Sequence, residues 1–115
     1  VLAEELFLNC VEIDAVGFDG EDNYEKFYNY TQENFEIKIN TNIYSVVAEG
    51  ISFKSNVCHY APANSTRGAF LSCSDLGYSF NINLSTFKYT RSRGYGFSIP
   101  GKDDIMIGYG LCYSK

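Results

Sequence analysis

Apolar and polar residues alternate over much of this chain, which is the pattern of half-buried β-strands. The alternation is clearest from Leu76 to Leu84 and from Ile105 to Tyr113, where an apolar side chain occupies every second position. Shorter apolar or alternating segments predict further strands at 6–13, 35–39, 43–48, 51–57, 69–74 and 94–99. Most of the chain is therefore expected to form an antiparallel sheet.

The last predicted strand has two unlike faces. One face carries large side chains, namely Ile105, Ile107, Tyr109, Leu111 and Tyr113. The other carries the small residues Gly108, Gly110 and Cys112. Small residues within a strand indicate that a helix or another backbone approaches closely at that face.

The segment 20–32 follows a different period. Apolar residues and a threonine recur there at the i, i+3, i+4 and i+7 positions of one helical face: Tyr24, Phe27, Tyr28 and Thr31. Asp19 is a candidate N-cap, and the acids that follow it favour a helix start. We therefore predict one helix over 20–32, with its aromatic side chains packed into the core.

The predicted elements are grouped in the order strand, helix and then a run of antiparallel strands. Such grouping favours an α+β fold with one helix packed on a twisted antiparallel sheet. The chain has 115 residues, which is the size of one domain, and it shows no linker or repeat. We expect residues 1–115 to form a single domain.

Four cysteines predict a disulfide-bonded protein. They lie at positions 10, 58, 73 and 112 without C-x-x-C spacing, and a single histidine cannot complete a Cys/His metal set. Three pairings are possible, and we favour Cys10–Cys112, which would tie the two ends of the domain, with Cys58–Cys73 closing a short polar loop. In the chain-entropy model these loops contribute about 4.7 and about 3 kcal/mol. The alternative is four reduced thiols in a cytosolic protein.

Other features also agree with secretion. Three Asn-x-Ser/Thr sequons occur, at Asn29, Asn64 and Asn83, the last inside a predicted strand. The chain does not begin with Met and shows no signal peptide, so we expect the mature form of a secreted protein. Because no apolar run approaches membrane-spanning length, we expect a soluble protein with no membrane partner.

Charge bears on the class of partner. The formal net charge is -5, whereas dedicated nucleic-acid binders usually carry a basic excess. Residues 88–95 nevertheless interleave cations and tyrosines, and the candidate contact residues are Lys88, Tyr89, Arg91, Arg93 and Tyr95. Such a segment suits a protein contact or weak RNA binding, and the alternative is a solvated hairpin turn.

The sequence offers little for catalysis. Its one histidine, His59, follows Cys58, and nothing in the spacing places it beside Glu49. The acids Asp103 and Asp104 are interpreted as solvated charges in a turn, and Asp19 with its acidic neighbours lacks the EF-hand pattern. We predict no catalytic site, no metal and no cofactor.

The layout resembles that of the fungal guanyl-specific ribonucleases, and more closely that of the ribonuclease-like (RALPH) effectors of cereal powdery mildews. The residues that carry the resemblance are the segment Leu8-Asn9-Cys10, the predicted helix and the segment Gly110-Leu111-Cys112-Tyr113. Those ribonucleases use a glutamate base, two histidines and an arginine, whereas this chain has one histidine. Glu49, His59 and Arg67 or Arg91 would be the only relics of that set.

The resemblance implies a catalytically inactive ribonuclease-like effector. Such a protein is secreted by a fungus, delivered toward plant cells and acts by binding host proteins, with intracellular immune receptors among the expected partners. We expect it to be a monomer. Two alternatives remain open: a secreted ribonuclease that uses His59 and a glutamate, and a carbohydrate-binding module that uses exposed tyrosines although the chain lacks Trp.

Overall fold

The computed structural model of the protein describes residues 5–51, 53–94, 96–98 and 104–115. The described residues form one short 3₁₀ turn, η1 (Gly20–Asp22), and the following strands: β1 Glu5–Phe18, β2 Phe27–Asn29, β3 Asn34–Asn40, β4 Ser45–Glu49, β5 Phe53–Ser55, β6 Val57–Ala61, β7 Phe70–Asp75, β8 Tyr78–Asn83, β9 Lys88–Arg93 and β10 Ile105–Ser114. No helix in the described ranges has the length and apolar character that a membrane crossing requires.

The described strands form one antiparallel sheet in the order β5-β4-β3-β1-β10-β9-β8-β7-β6, and β2 lies off this path, paired with β1. The long strand β1 lies at its centre and pairs with β10 along one side. On the other side β3 covers only the first half of β1, and β2 pairs with residues Val16–Phe18 near its end. The first and last strands of the chain are therefore neighbours in the middle of the sheet.

The two ends of the sheet are joined by one continuous stretch of chain. Strands β5 and β6 are separated only by Asn56, yet β5 pairs with β4 whereas β6 pairs with β7. The buried hydroxyl of Ser55 stabilises this corner between β5 and β6. It donates a hydrogen bond to the carbonyl of Ser74 and accepts one from the backbone nitrogen of Val57 at 3.0 Å. The sheet thus nearly closes on itself around one core.

Alternate residues of the strands fill the inside of this sheet. Its centre is aromatic, with ring centroids of contacting pairs 5.2–6.3 Å apart among Phe35, Phe53, Phe80 and Tyr89. Edge-to-face and offset contacts of this kind add to the free energy of burial. The aliphatic residues around the rings, such as Ile39, are fully buried.

Both predicted disulfides are confirmed. Cys10–Cys112 joins β1 to β10, and Cys58–Cys73 joins β6 to β7. In each pair the cysteines face each other directly across antiparallel strands, with Cα atoms 4.0 Å apart. The first bridge therefore links the first and last strands at the sheet centre, and the second joins the two strands of the β6–β7 hairpin at the end away from its loop.

The predicted α+β fold is wrong, because the described residues are almost entirely β and include no packed helix. The segment 20–32 instead forms η1 and β2. Asn23 and Tyr24 adopt left-handed φ values of 55° and 60°, and a right-handed helix cannot continue through two such residues. Phe27 and Tyr28 pair with β1 and stay exposed, whereas we predicted that they pack into the core. The expected ribonuclease-like fold includes that helix, so this expectation is wrong for the same reason.

Several strand assignments also differ from the prediction. Residues 88–93, one interpretation of which was a hairpin turn, form β9 between β8 and β10. The strand predicted at 94–99 lies partly outside the described residues, and its described part, 96–98, forms a turn. The strand predicted from Leu76 begins only at Tyr78, because Leu76 and Gly77 have positive φ and form the preceding turn.

Candidate functional site

A charged pair lies inside the sheet where β1 is irregular. The register of β1 against β10 shifts between Glu12 and Asp14, and the Glu12 side chain is 0% exposed. Arg91 of β9 contacts both carboxylate oxygens, with Nε 2.6 Å from Oε2 and Nη2 2.8 Å from Oε1. Bidentate pairing of this kind is the strongest arrangement that a guanidinium and a carboxylate form.

Three neighbours complete the surroundings of this pair. The hydroxyl of Tyr89 donates to Oε2 of Glu12 at 3.4 Å, and the backbone nitrogen of Glu33 donates to Oε1 at 3.3 Å. The guanidinium carbon of Arg91 lies 5.9 Å from the centre of the Phe35 ring. The pair is therefore enclosed by longer polar contacts and by aromatic surface.

Glycines of β10 provide the space that the pair occupies. A β-carbon at Gly108 would lie 2.5 Å from Oε2 of Glu12. A β-carbon at Gly110 would lie 2.9 Å from both the Glu12 Cα and the ring of Tyr89. The close approach predicted for the small face of β10 is therefore made by the backbone of β1 and by this polar cluster, and not by a helix.

The pair also affects the protonation of its members and neighbours. Burial lowers the pKa of Arg91, but hydrogen bonding to Glu12 and the charge of its carboxylate outweigh this effect and raise the pKa overall. Burial, followed by the nearby Glu12 charge, raises the pKa of Tyr89 above its ordinary value. Arg91 and Tyr89 therefore do not titrate near neutral pH. This favours a structural role for the cluster, in which it stabilises the register shift of β1, over a role in proton transfer.

A second and more open cluster holds the segment between β1 and β2 against the start of β10. Asp104 accepts a hydrogen bond from the backbone nitrogen of Gly20 at 2.9 Å and lies 3.8 Å from the Arg93 guanidinium. Burial, with the Asp104 carboxylate as the next cause, raises the pKa of Tyr30 to about 12. The Asp104 carboxylate therefore binds the start of this segment and also acts on the charge of Tyr30, which follows β2.

The predicted contact residues of the 88–95 segment do not share one surface. Lys88 is exposed on the outside of the sheet, whereas Tyr89 is 2% exposed and belongs to the core. Arg91 and Arg93 are partly buried and pair with Glu12 and Asp104, and Tyr95 lies outside the described residues. Alternation along β9 separates these side chains, and a binding role for them stays a prediction.

The structure does not bring together the four proposed relics of a ribonuclease site. Glu49 ends β4, His59 lies in β6, Arg67 lies in the loop after β6, and Arg91 lies in β9. Arg67 donates to the carbonyl of Pro62 at 3.1 Å. Within the described ranges, no hydrogen bond or ion pair joins any two of the four.

The acidic segments show no metal-binding arrangement in the described part of the chain. There, no group of three or more His, Cys, Asp or Glu side chains is placed to hold a metal ion. Asp19 instead accepts a hydrogen bond from the backbone nitrogen of Glu21 at 2.9 Å and caps η1. Of the acidic pair at 103–104, Asp103 lies outside the described residues.

The most prominent surface feature is an apolar strip along β2, β1 and β10 on the outside of the sheet. We call it the outer aromatic face, and its members are Phe7, Val11, Ile13, Phe18, Phe27, Ile107, Tyr109 and Tyr113. Cross-strand pairing holds the strip together, since Phe18 faces Phe27 on one side and Ile105 on the other. The rings of Phe18 and Phe27 also meet edge to face at 6.1 Å.

The size of the outer aromatic face is unusual for a surface open to water. Its side chains are between 38% and 65% exposed. Since an aromatic side chain presents about 150–250 Å² in full, the five aromatic members alone present roughly 500 Å². Adding the aliphatic members brings the face to roughly 700 Å², above the about 300–600 Å² of the largest patch on a typical monomer.

The outer aromatic face was not predicted from the sequence, although the glycines of β10 were a signal of it. Alternation shows that the two sides of β10 differ, but it does not show which side is buried. The glycines indicated a close approach, and close approach occurs inside a sheet that curls around its core. The large side chains of β10 therefore had to point outward.

Comparison of this chain with protein families, curated proteins and solved structures finds no match.

Proposed function

We propose that this chain is a secreted, catalytically inactive effector domain that binds a host plant protein through the outer aromatic face. The face carries the proposal, because an apolar surface of roughly 700 Å² approaches the about 800 Å² that each partner contributes to a standard protein interface. Tyrosine and other aromatic residues are also enriched in the binding centres of such interfaces.

The arrangement of charged groups supports contact over catalysis. Glu12 and Arg91 are occupied with each other inside the sheet. His59 has no acidic or basic partner among the described residues, and the other predicted relics lie on separate elements. A general acid and base must face one substrate to act together, and these groups are not arranged in that way.

The two disulfides support the secretory part of the proposal. Structural disulfides form and persist mainly in oxidising compartments and outside the cell. A fungal origin and recognition by plant immune receptors come from the resemblance described above and belong to the proposal. The ribonuclease-like fold is not part of it, since the helix is absent from the described residues.

Site-specific photocrosslinking tests the proposed contact surface. A photoreactive phenylalanine analogue placed at Tyr109 is expected to capture a plant protein from leaf extract, while the same analogue at Lys54, exposed on β5, captures none. The captured protein is then produced pure, and its affinity for Ile107→Lys is expected to fall at least tenfold. Val57→Lys, at an exposed aliphatic residue of β6 in another part of the sheet, is the matched control.

Three results would overturn this proposal. One is equal affinity of the partner for the parent and for the Ile107→Lys variant. Another is a dimer in sedimentation experiments that Ile107→Lys dissociates, because a second copy would then cover the face. The third is RNA cleavage by purified protein that His59→Ala abolishes, which would support the ribonuclease alternative.

A further inference from the structure

The three sequons of the chain lie in different surroundings. Asn64 is exposed in the loop between β6 and β7, and its Oδ1 accepts hydrogen bonds from the backbone nitrogen of Thr66 at 2.9 Å and from the Thr66 hydroxyl at 3.0 Å. No described residue accepts a hydrogen bond from its amide nitrogen. The side chain that a glycosyl transferase would modify is thus turned toward solvent.

The loop around Asn64 is ordered by its own contacts without being covered. The backbone nitrogen of Asn64 donates to the Arg67 carbonyl at 2.8 Å, and the Arg67 guanidinium donates to Pro62 at 3.1 Å. Residues 62–67 are all exposed, and the Cys58–Cys73 bridge joins the two strands that lead into and out of the loop. The acceptor therefore stays reachable both before and after the domain folds.

We propose that Asn64 is an N-glycosylation site of this protein. The co-reactant is a lipid-linked oligosaccharide diphosphate, and the transfer forms a bond between Nδ2 of Asn64 and the anomeric carbon of the first sugar. The bond from that carbon to the diphosphate oxygen breaks, the lipid diphosphate leaves, and a base of the transferase takes the amide proton. The proposal rests on the proposed function only in requiring passage through the secretory pathway.

The sequon at Asn83 differs in its burial and hydrogen bonding. Asn83 ends β8 and is half-buried, and its Oδ1 accepts from the backbone nitrogens of Ser85 at 2.8 Å and Thr86 at 3.1 Å. The Ser85 side chain packs closely against Gly68, since a β-carbon added to Gly68 would collide with the Ser85 hydroxyl. A glycan on Asn83 would therefore disturb packing that a glycan on Asn64 leaves intact.

The sequon at Asn29 is exposed but lies on the outside of β2, opposite Val16 of β1. A glycan there would extend over the outer aromatic face and exclude a protein partner from it. The loop that carries Asn64 follows β6, which lies five strands from β1 in the sheet order. Modification of Asn64 therefore leaves the face open.

Expression through a eukaryotic secretory pathway, followed by intact-mass and peptide analysis, tests the inference. The parent is expected to carry one glycan that an N-glycosidase removes, leaving aspartate at position 64. Asn64→Gln and Thr66→Val should lose it, whereas Thr66→Ser and Asn83→Gln should retain it. Circular dichroism of each variant monitors the fold.

The outcomes separate this inference from the proposed function. A parent without a glycan on Asn64, or a glycan that persists in Thr66→Val, overturns the assignment of Asn64. A glycan found on Asn29 instead counts against the outer aromatic face as a contact surface. A glycan on Asn64 with Asn29 unmodified supports the assignment and leaves the face available.

Discussion

Removal of the Arg91 guanidinium is expected to be among the most damaging single changes to this fold. Arg91→Met deletes both short hydrogen bonds to Glu12, at 2.6 and 2.8 Å. The carboxylate, which is 0% exposed, then retains only the contacts at 3.3 and 3.4 Å from Glu33 and Tyr89. Breaking a buried pair in this way costs about 3–5 kcal/mol, because one charge stays buried without its partner.

That loss is large against the whole stability of a domain of this size, about 5–15 kcal/mol. The double substitution Glu12→Gln with Arg91→Met leaves no buried charge behind. We therefore expect the double variant to be more stable than Arg91→Met alone, so that the two effects do not add. The free energy of unfolding is measured from guanidinium denaturation at neutral pH with both disulfides intact, followed by far-UV circular dichroism.

An exposed ion pair of the same sheet provides the control. Lys38 lies 3.7 Å from Glu5, and both side chains are close to half exposed. Lys38→Met is expected to cost less than about 1 kcal/mol, as exposed pairs do. If Arg91→Met cost no more than this control, or if the double variant were the least stable of the series, the reasoning about the buried pair would be refuted.

Three further changes probe other parts of the molecule. Gly108→Ala places a methyl group against the buried carboxylate and should destabilise the fold by about 1–3 kcal/mol, whereas Gly94→Ala, with its nearest neighbour at 4.0 Å, should leave the melting temperature nearly unchanged. Ser55→Ala leaves a buried carbonyl and a backbone N–H at the sheet corner without their partner and should cost about 1–3 kcal/mol in urea denaturation; an unchanged midpoint would show that the corner does not depend on that hydroxyl. Because the pKa of Tyr30 is raised to about 12, its contribution to stability is fully present below pH about 10 and is lost as the pH rises through about 12. Tyr30→Phe should remove one tyrosinate absorbance step near pH 12, and an unchanged titration in that range would contradict the raised pKa of Tyr30.

The strands and the disulfides could be predicted from the sequence, because both depend on local or combinatorial signals. Alternation from Tyr78 onward and from Ile105 onward follows from burial of one face of a strand. For the cysteines, an even count without metal-type spacing leaves only three pairings. Both pairs lie directly opposite each other in neighbouring strands.

The helix could not be excluded from the sequence, because the 20–32 segment satisfies a helical period by coincidence. What decides its structure is distant in sequence: β1 extends beyond the end of β3, and the exposed backbone near Val16 needs another partner. The aromatic residues of β2, which favour strands, supply it. Local periodicity contains no information about the length of a neighbouring strand.

The buried pair was equally hidden from sequence reasoning. Glu12 continues the inward positions of Leu8 and Cys10 on β1, so its charge faces the core. Its partner Arg91 lies on the opposite side of β10 in the sheet order, and no local pattern connects the two. The glycines of β10 were the one sequence signal of this pair, because the absence of their side chains leaves the volume that the pair occupies.

The bridge between Cys10 and Cys112 has a mechanical consequence. Tension that reaches the domain from residues outside these two cysteines passes through the sulfur–sulfur bond, so the intervening chain cannot be drawn out lengthwise. If the oxidised protein were threaded through a narrow channel, the channel would have to hold two segments of the chain side by side. Transport of this protein across a membrane as a linear chain would require prior reduction of that bond, and any route that leaves the bond oxidised must admit the folded domain.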